Sequence, residues 1–413
     1  MKIAYFDYWT KGIANFEILD AELRARGHQT LLLHFGSWRG PCAPEEQVRG
    51  ILCRDITYYK THFIYEMLRR ERPDVVISLN TTYLPDRAMV LACRTLGIKT
   101  VFMMHGNRIW DDAESDGQYM NSLEKSLNSK FRKVLKAPKY LYQVIPNYLY
   151  SLKRGAGLSW RTLPVIFQYI KNPARASYFP TDAAELFHDK CLVYSNCEAK
   201  YYLQIGYPNA KIKVTGSPKH DPLLKRLRDK TFKSSRLPVA LREKLERGER
   251  YVLILDEALP ETLGFAGWTN EYRHDYIQSL SERFLKEKLF VVIKAHPTSN
   301  LKVLQQATNE NVLLYQTEDL NDLIYFSELC VVHSSTTVAN CVLIGKPILQ
   351  PRWGRSEALP TAYIKLGVSQ AWLKLSDPIA FAIDEAKRQA FKLHYITVLE
   401  PVAVQNIIHE IET

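Results

Sequence analysis

The sequence of 413 residues lacks several features that would fix its class at once. No apolar run approaches the roughly 20 residues that span a bilayer, so we expect no membrane-spanning helix. The first residues lead directly into a strand-like run, without the basic start and cleavage site of a secretory signal. Seven cysteines occur without a C-x-x-C pair, which predicts reduced, buried thiols in a cytoplasmic protein and no cysteine-based zinc site.

Two ligand-binding motifs are also missing. The chain has no G-x-G-x-x-G fingerprint, which argues against a nicotinamide dinucleotide. It has no D-x-D motif either, so a diphosphate clamped by a metal ion is not indicated. We therefore predict neither a metal site nor a bound cofactor.

Acidic residues are absent from one long interval, 125–181, which we call the basic segment. It contains seven Lys and four Arg, equal to the net charge of +11 of the whole chain. Aromatic residues alternate with these cations, a combination typical of binding to anionic membranes. The alternatives are a packed helical insertion with a solvated basic face, or contact with a glycan. A nucleic-acid binder would more often spread its charge along a folded face, so no nucleic-acid partner is expected.

Apolar strand-like runs alternate with amphipathic helix-like stretches along most of the chain, which predicts parallel sheets covered by helices. The alternation breaks in a charged stretch and then resumes. We predict an α/β fold of two Rossmann-like, doubly wound domains with a cleft between them. The predicted divisions are an N-terminal domain at 1–220 with an insertion at about 115–181, a linker at 221–250, a C-terminal domain at 251–385, and a C-terminal helix at 386–413 that packs back on the first domain.

Polar residues follow three predicted strands in the second half. Asp256-Glu257 comes after the first, His296-Pro297 after the second, and a run from His333 to Thr337 after the third. Ligands of parallel sheets bind beyond the carboxyl ends of the strands. If the sheet is parallel, these clusters lie on one edge.

The residue types suggest their chemistry. The hydroxyls of Ser334 to Thr337 precede a predicted helix and suit a phosphate, and the alternative is that Ser334 or Ser335 is only the helix cap. His296 suits protonation of a leaving phosphate. The carboxylate of Asp256 or Glu257 suits deprotonation of an acceptor hydroxyl or nucleophilic attack on a sugar carbon. The alternative is that both are solvated carboxylates of a surface loop. In the first half, Asp7 and Gly12 form a loop that suits an acceptor.

The order of acidic pair, His-Pro and Ser-Ser at successive strand ends resembles bacterial glycosyltransferases of the two-Rossmann, or GT-B, type that use CMP-activated acidic sugars. These are the sialyltransferases and the Kdo transferases. Where the sialyltransferases have Gly after the acidic pair, this chain has Ala258. The stretches 252–257, 294–297 and 345–347 look at least as similar to retaining Kdo transferases. The stretch 214–221 resembles the domain-closing segment of a wider group, which includes CDP-glycerol transferases and UDP-GlcNAc 2-epimerases.

This resemblance implies a metal-independent site in which Asp256 is base or nucleophile and the CMP phosphate is held by His296 and the Ser-Ser pair. The implied catalytic residues are Asp256, Glu257 and His296. The implied nucleotide-binding residues are Lys294, His296, Pro297, Ser334, Ser335, Thr336 and Gly216.

The resulting hypothesis is a cytoplasmic enzyme, peripheral on the inner face of the cell membrane, that transfers Kdo or sialic acid from a CMP-sugar substrate. The acceptor would be lipopolysaccharide, capsule or another lipid-linked glycan. A CDP-glycerol-type transferase, a UDP-GlcNAc 2-epimerase and a non-catalytic protein that binds anionic lipid are the alternatives. The sequence leaves open whether the anomeric configuration is inverted or retained.

Overall fold

The computed structural model describes residues 1–8, 10–81, 83–106, 138–155, 164, 166, 187–204, 206–262, 267–379 and 382–413. These residues fall into two compact units. The first unit contains the described residues up to Pro218 together with Val402–Thr413, and the second is Lys219–Pro401. The basic segment lies outside the described residues except for 138–155, 164 and 166. No helix in the described ranges is long and apolar enough to cross a bilayer.

An eight-stranded sheet forms the centre of the first unit. Its strands are β1 (Lys2–Asp7), β2 (Gln29–His34), β3 (Glu45–Val48), β4 (Ile51–Asp55), β5 (Val75–Ser78), β6 (Lys99–Met103), β7 (Lys190–Val193) and β8 (Ile212–Val214). Their order is β3-β4-β2-β1-β5-β6-β7-β8, and every pair is parallel except β3 with β4. The order reverses between β1 and β5, which is where doubly wound sheets open a crevice at their carboxyl edge.

Both faces of this sheet are covered because its strands carry apolar side chains in both directions. Ile3 and Tyr5 of β1 pack on one face in a core that includes Leu19 and Leu23. Ala4 and Phe6 pack on the opposite face in a second core. The described helices of this unit are α1 (Glu17–Ala25), α2 (Ile64–Glu71), α3 (Leu84–Leu96), α4 (Pro138–Arg154), α5 (Asn196–Gln204) and α15 (Ala403–Glu412).

The hairpin of β3 and β4 is one element that the strand pattern does not predict. The β3 sequence, Glu-Glu-Gln-Val, lacks the apolar run of a buried strand. It forms because Val48 and Ile51 pair across a two-residue turn. Arg49 and Gly50 in this turn both have positive φ angles, 51° and 80°, as a tight hairpin turn of this length requires.

A six-stranded parallel sheet forms the centre of the second unit. Its strands are β9 (Arg250–Leu255), β10 (Leu289–Lys294), β11 (Val312–Tyr315), β12 (Leu329–Val331), β13 (Ile348–Pro351) and β14 (Gln370–Trp372). The order is β11-β10-β9-β12-β13-β14, with every pair parallel. Two parallel α/β sheets in one chain confirm the predicted fold class. The strand pattern misses only β14 in this sheet, because its three residues give too short a run.

The interval 221–250 corresponds to the predicted linker, for which the sequence indicates a helix. It forms two helices of the second unit, in which Leu223 and Leu241 are fully buried. Apolar residues in each helix give this charged interval a packing surface. The described helices of this unit are α6 (Asp221–Arg228), α7 (Val239–Glu246), α8 (Leu259–Thr262), α9 (Asn270–Lys286), α10 (Leu301–Gln305), α11 (Leu320–Phe326), α12 (Val338–Ile344), α13 (Ala362–Lys365) and α14 (Glu385–Phe391).

The C-terminal interval 386–413 divides between the two units. Residues as far as Pro401 belong to the second unit, and α15 belongs to the first. Ile407, Ile408 and Ile411 of α15 are part of the first unit's core. The return of the chain to the first unit therefore rests on this short amphipathic helix.

Candidate functional site

Three adjacent strands of the second unit bring the predicted site residues to one edge of the sheet. β9 lies between β10 and β12, and both pairings are parallel. Asp256 follows β9, His296 lies just beyond β10, and His333 lies just beyond β12. The carboxyl ends of parallel strands share one edge, so the three clusters are grouped as the strand pattern predicts.

The carboxylate of Glu257 links the ends of β9 and β12. Its Oε1 accepts hydrogen bonds from the backbone N–H groups of His333 and Ser334 at 2.7 and 2.8 Å. Its Oε2 accepts from the N–H and the hydroxyl of Ser334 at 3.0 and 2.8 Å. Clustered backbone N–H groups of this kind bind anions. Glu257 thus occupies the donors of Ser334 that the sequence pattern assigns to a phosphate.

Asp256 links the end of β9 to the loop after β10. Its side chain is 7% exposed, its Oδ2 accepts from the hydroxyl of Ser299, and its Oδ1 lies 3.5 Å from Nη1 of Arg273. Burial raises the pKa of Asp256, while the hydrogen bond from Ser299 and the charge of Arg273 oppose that rise. A carboxylate with a raised pKa is a stronger base than an exposed one. Its burial means that a substrate would have to approach it through the loops of this edge.

Arg273 is a site residue that the strand-end pattern does not indicate. It lies in α9, its side chain is 2% exposed, and it donates to both carboxylate oxygens of Glu261 at 3.0 and 2.6 Å. Glu261 in turn accepts the backbone N–H of Asn300 at 2.7 Å. Within its helical stretch Arg273 looks like any surface cation, so only the packing of α9 shows that it braces this edge.

His296 is the exposed member of the group. Its Nδ1 accepts the backbone N–H of Thr298 at 3.2 Å and lies 2.8 Å from the hydroxyl oxygen of the same residue. With Nδ1 as acceptor, the neutral ring carries its proton on Nε2. His296 can therefore offer an N–H donor to an incoming oxygen, and Pro297 beside it is exposed as well.

Lys294 contacts the loop that follows β11. Its ammonium group donates to the backbone carbonyl oxygens of Gln316 and Glu318, the second at 2.7 Å. Burial lowers the pKa of Lys294, and the nearby charge of Glu318 opposes that effect. These contacts hold Lys294 against the loop after β11, so it braces the sheet edge, and the implied nucleotide contact stays a prediction.

The remaining hydroxyls form a turn ahead of α12. Ser335 Oγ donates to Thr337 Oγ1 at 2.8 Å and accepts the backbone N–H of Thr337 at 3.2 Å. The hydroxyl of Tyr363 donates to the carbonyl oxygen of Ser335 at 2.9 Å. Thr336 between them is exposed. The turn thus presents Thr336 outward and fixes its neighbours internally.

A small cavity lies behind the acidic pair. Its volume of about 20 Å³ is enough for a single water molecule. His333 and Tyr276 line it, with Nε2 of His333 at 3.0 Å from the Tyr276 hydroxyl. Burial lowers the pKa of His333, which keeps the ring neutral. Tyr276, like Arg273, comes from α9 and is not indicated by the strand-end pattern.

Gly216 lies apart from this group. It belongs to the first unit and has a φ angle of 83°, a conformation that glycine adopts readily. The hydroxyl of Thr215 donates to its carbonyl oxygen at 3.2 Å. The described contacts of Gly216 are therefore those of a turn.

The first unit has its own polar cluster, at the point where its strand order reverses. Asp7 ends β1, and Asp86 lies in the first turn of α3, which follows β5. The hydroxyl of Tyr8 donates to Asp86 at 2.7 Å, and the backbone N–H of Tyr8 donates to Asp7 at 2.7 Å. Burial raises the pKa of Asp7 to about 6 and that of Asp86 to about 7, and the charge of Asp7 adds to the rise at Asp86. Asp7 is prominent in the sequence at a strand end, whereas Asp86 lies in a helix and is not.

Comparison with known proteins places the fold. No protein-family model and no curated protein sequence matches the chain, but many solved structures do. The fold is of the GT-B type. The S. aureus MnaA–UDP structure is 12% identical over 100% of this chain and 96% of that one, with a TM-score of 0.50. A putative UDP-N-acetylglucosamine 2-epimerase from Listeria monocytogenes is 14% identical, with coverage of 100% and 97% and a TM-score of 0.51.

A glycosyltransferase gives a similar match. CalG4, the calicheamicin glycosyltransferase, is 14% identical over 100% of this chain and 97% of that one, with a TM-score of 0.52. At such identities a likeness establishes the fold, and function has to be argued from the site.

Proposed function

We propose that this chain is an enzyme that acts on a nucleotide-activated sugar. The observation that carries the proposal is the edge formed by β10, β9 and β12, where the exposed His296 and the hydroxyl turn of Ser335 to Thr337 lie beyond the two strands that flank β9. Imidazole N–H and hydroxyl groups are donors suited to phosphate oxygens. Asp256 and Glu257 hold the loops of this edge in place, which supports a preformed site.

A UDP-sugar is the first candidate for the substrate. Two structures similar to this chain are named for UDP or for a UDP-N-acetylglucosamine 2-epimerase. Epimerisation at a sugar carbon needs a proton acceptor and a proton donor. The Asp7–Asp86 pair of the first unit supplies two carboxyl groups that titrate near neutral pH, and this observation favours proton-transfer chemistry.

Transfer of an acidic sugar from a CMP donor is the second candidate. It is favoured by the order of the acidic pair, His-Pro and Ser-Ser at the strand ends. In that reaction His296 would stabilise the departing phosphate, and a carboxylate would act on the acceptor hydroxyl or on the sugar itself. A CDP-glycerol-type transfer would use the same edge.

Thermal unfolding with a panel of nucleotides tests the proposal. We expect one of UDP, CDP or CMP to raise the melting temperature of the full chain, with the free nucleosides as controls that lack phosphate. Stabilisation by UDP, followed by NMR detection of epimerised UDP-GlcNAc, supports the first candidate. Stabilisation by CMP, followed by turnover of CMP-Kdo or CMP-sialic acid, supports the second. A folded chain indifferent to every nucleotide and nucleotide sugar contradicts the proposal.

The acceptor and the membrane form a separate part of the proposal. We infer that the basic segment, 125–181, contacts an anionic membrane or a glycolipid acceptor, so the enzyme would work on the inner face of the cell membrane. The charge of this segment, +11 without an acid, supports this inference. A non-catalytic lipid-binding protein would also bind vesicles, but it would show no nucleotide response and would be insensitive to changes at His296.

A further inference from the structure

Three side chains with different ligand atoms meet at the carboxyl edge of the first sheet. His34 ends β2 and Asp55 ends β4, and the two residues are paired in the strand register. Cys42 comes from the loop between β2 and β3. One nitrogen of His34, the sulfur of Cys42 and one oxygen of Asp55 lie within 4.8 Å of one another. Sheet register and a loop thus assemble an N, S and O donor set.

Asp55 is a buried acceptor without a cationic partner. Its side chain is 0% exposed, and it accepts the backbone N–H groups of Thr57 at 2.9 Å and Ser37 at 3.1 Å. A carboxylate that accepts from several donors is in its ionised form. In the part of the chain that the structure describes, no Lys or Arg pairs with it. A buried charge is costly unless it is paired or bound to a metal, so this position favours a cation.

The histidine points to the same conclusion. His34 Nδ1 accepts the backbone N–H of Gly36 at 3.2 Å, yet it also lies 3.4 Å from Asp55 Oδ2. A cation between Nδ1 and Oδ2 would take the lone pair of Nδ1 in place of the long hydrogen bond from Gly36, and it would neutralise the carboxylate. The other ring nitrogen, Nε2, is buried and has no hydrogen-bond partner among the described residues. The proton of the neutral ring can therefore lie on Nε2, which leaves Nδ1 as the nitrogen that can bind a cation.

We propose that His34, Cys42 and Asp55 bind a zinc ion, with water as the fourth ligand. Zinc accepts thiolate, imidazole and carboxylate ligands at about 2.0–2.3 Å in tetrahedral geometry. Two N or O ligands at that distance are about 3.3–3.4 Å apart, which is the separation of His34 Nδ1 and Asp55 Oδ2. The sulfur has farther to move, and it sits in a loop, where Cys42 is the one cysteine of seven that is not buried.

The cysteine spacing suggested no zinc site, since it contains no pair of closely spaced ligands. Here the ligands are separated by 8 and 13 residues and meet only because β2 and β4 are neighbours. The ion would link the loop after β2, through Cys42, to the ends of β2 and β4. This inference does not depend on the proposed function, because it concerns residues outside the nucleotide edge.

Titration of the full chain with zinc tests the inference. After treatment with a chelator, we expect the chain to bind one equivalent of Zn²⁺ in competition with a chromophoric chelator. Co²⁺ in its place should give a sulfur-to-metal charge-transfer band and the strong visible bands of tetrahedral coordination. Cys42→Ala should remove the charge-transfer band and weaken zinc binding at least tenfold. The matched control Cys197→Ala changes a buried thiol outside the cluster and should bind as the wild type does.

A second measurement needs no variant. Zinc should protect Cys42 from alkylation by iodoacetamide, read by mass spectrometry of the labelled peptide. Zinc binding that is unchanged in Cys42→Ala, or alkylation of Cys42 at the same rate with and without zinc, would overturn the proposal. Failure to take up zinc at micromolar concentration would do the same, and it would leave the Cys42 thiol as a hydrogen-bond donor to the Asp55 carboxylate.

Discussion

Glu257 and Ser334 link the ends of two neighbouring strands, β9 and β12, in the second unit. The carboxylate accepts both the backbone N–H and the hydroxyl of Ser334, with distances of 2.8 to 3.0 Å. An acidic residue expected to react with a substrate is thus engaged in holding the loop that carries the hydroxyl turn. Its partner Asp256 holds the neighbouring loop through Ser299. The acidic pair is therefore part of the scaffold of this edge.

The first prediction concerns this link. Glu257→Ala leaves the N–H groups of His333 and Ser334 without their acceptor, so the free energy of unfolding should fall by about 1–3 kcal/mol. Urea denaturation of the purified chain measures the change. Glu310→Ala, at an exposed loop position, is the control and should alter stability little. Equal stability of the two variants would show that Glu257 does not brace the loop.

Arg273 gives a second prediction. Arg273→Met removes a buried guanidinium and leaves Asp256 and Glu261 without their cation, which should cost about 3–5 kcal/mol. The matched control is Arg242→Met, which breaks a surface pair with Glu246 worth about 0.3–0.5 kcal/mol. Chemical denaturation of both variants measures the difference. If Arg273→Met is as mild as its control, the buried network is not stabilising.

A third prediction concerns pH. Asp86 has a folded-state pKa of about 7 against an ordinary value of 3.8. Between those two values the folded chain holds a proton that the unfolded chain has released, so stability should fall as the pH rises through this window. Asp86→Asn keeps an oxygen to accept from Tyr8 and cannot ionise. It should unfold at a higher temperature than the wild type at pH 8, and the gap should close near pH 4.

The control for this pH effect is Asp275→Asn, because the Asp275 side chain is 79% exposed. Its melting temperature should follow that of the wild type at both pH values. A constant difference between Asp86→Asn and the wild type across the range would mean that Asp86 titrates normally.

His296 gives a fourth prediction. Its exposed ring makes no described contact that holds the fold beyond its own loop, so His296→Ala should unfold as the wild type does in the absence of ligand. If its N–H contacts a phosphate, the dissociation constant of the stabilising nucleotide should rise by about tenfold. Calorimetric titration measures it. His274→Ala on α9 is the control, and equal weakening in both variants would remove His296 from the site.

The fifth prediction concerns the basic segment. Replacing Lys130, Lys133 and Lys136 by Gln should reduce binding to vesicles that contain phosphatidylserine, because each cation near such a surface contributes about 1 kcal/mol. Co-sedimentation at low and high salt measures the loss. The same change at the exposed Lys286, Lys288 and Lys302 is the control. Binding that survives in the first variant, or that ignores salt, would exclude this segment as the membrane contact.

Much of the architecture follows from local patterns in the chain. Runs such as Val75–Ser78 and Leu289–Lys294 are apolar except for their last residue and are rich in strand-forming residues, so they specify strands buried on both faces. Apolar runs do not predict β3, because its sequence is polar and it forms a strand only by pairing with β4 across a hairpin turn. The charged stretch 221–250 interrupts the strand pattern, yet Leu223 and Leu224 in its first helix and Leu241 in its second are buried.

For the candidate site, too, some features follow from the sequence and others only from the tertiary structure. The sequence places Asp256, His296 and His333 at strand ends, because side-chain chemistry and the ends of apolar runs are local properties. It does not contain the strand order β10-β9-β12, and that order alone makes the three clusters neighbours. Arg273 and Tyr276 reach the site from a helix, and helical periodicity does not distinguish a buried arginine from a surface one.

The fold class and the identity of the strand-end residues were thus determined by the sequence itself, through apolar periodicity and residue chemistry. Tertiary structure decided what those residues do. Burial raises the pKa of Asp256, and its carboxylate holds the loop after β10 through Ser299. The carboxylate of Glu257 accepts hydrogen bonds from backbone N–H groups at the end of β12. Register brought His34, Cys42 and Asp55 together. Partners and burial arise from contacts between distant parts of the chain, so no local pattern contains them.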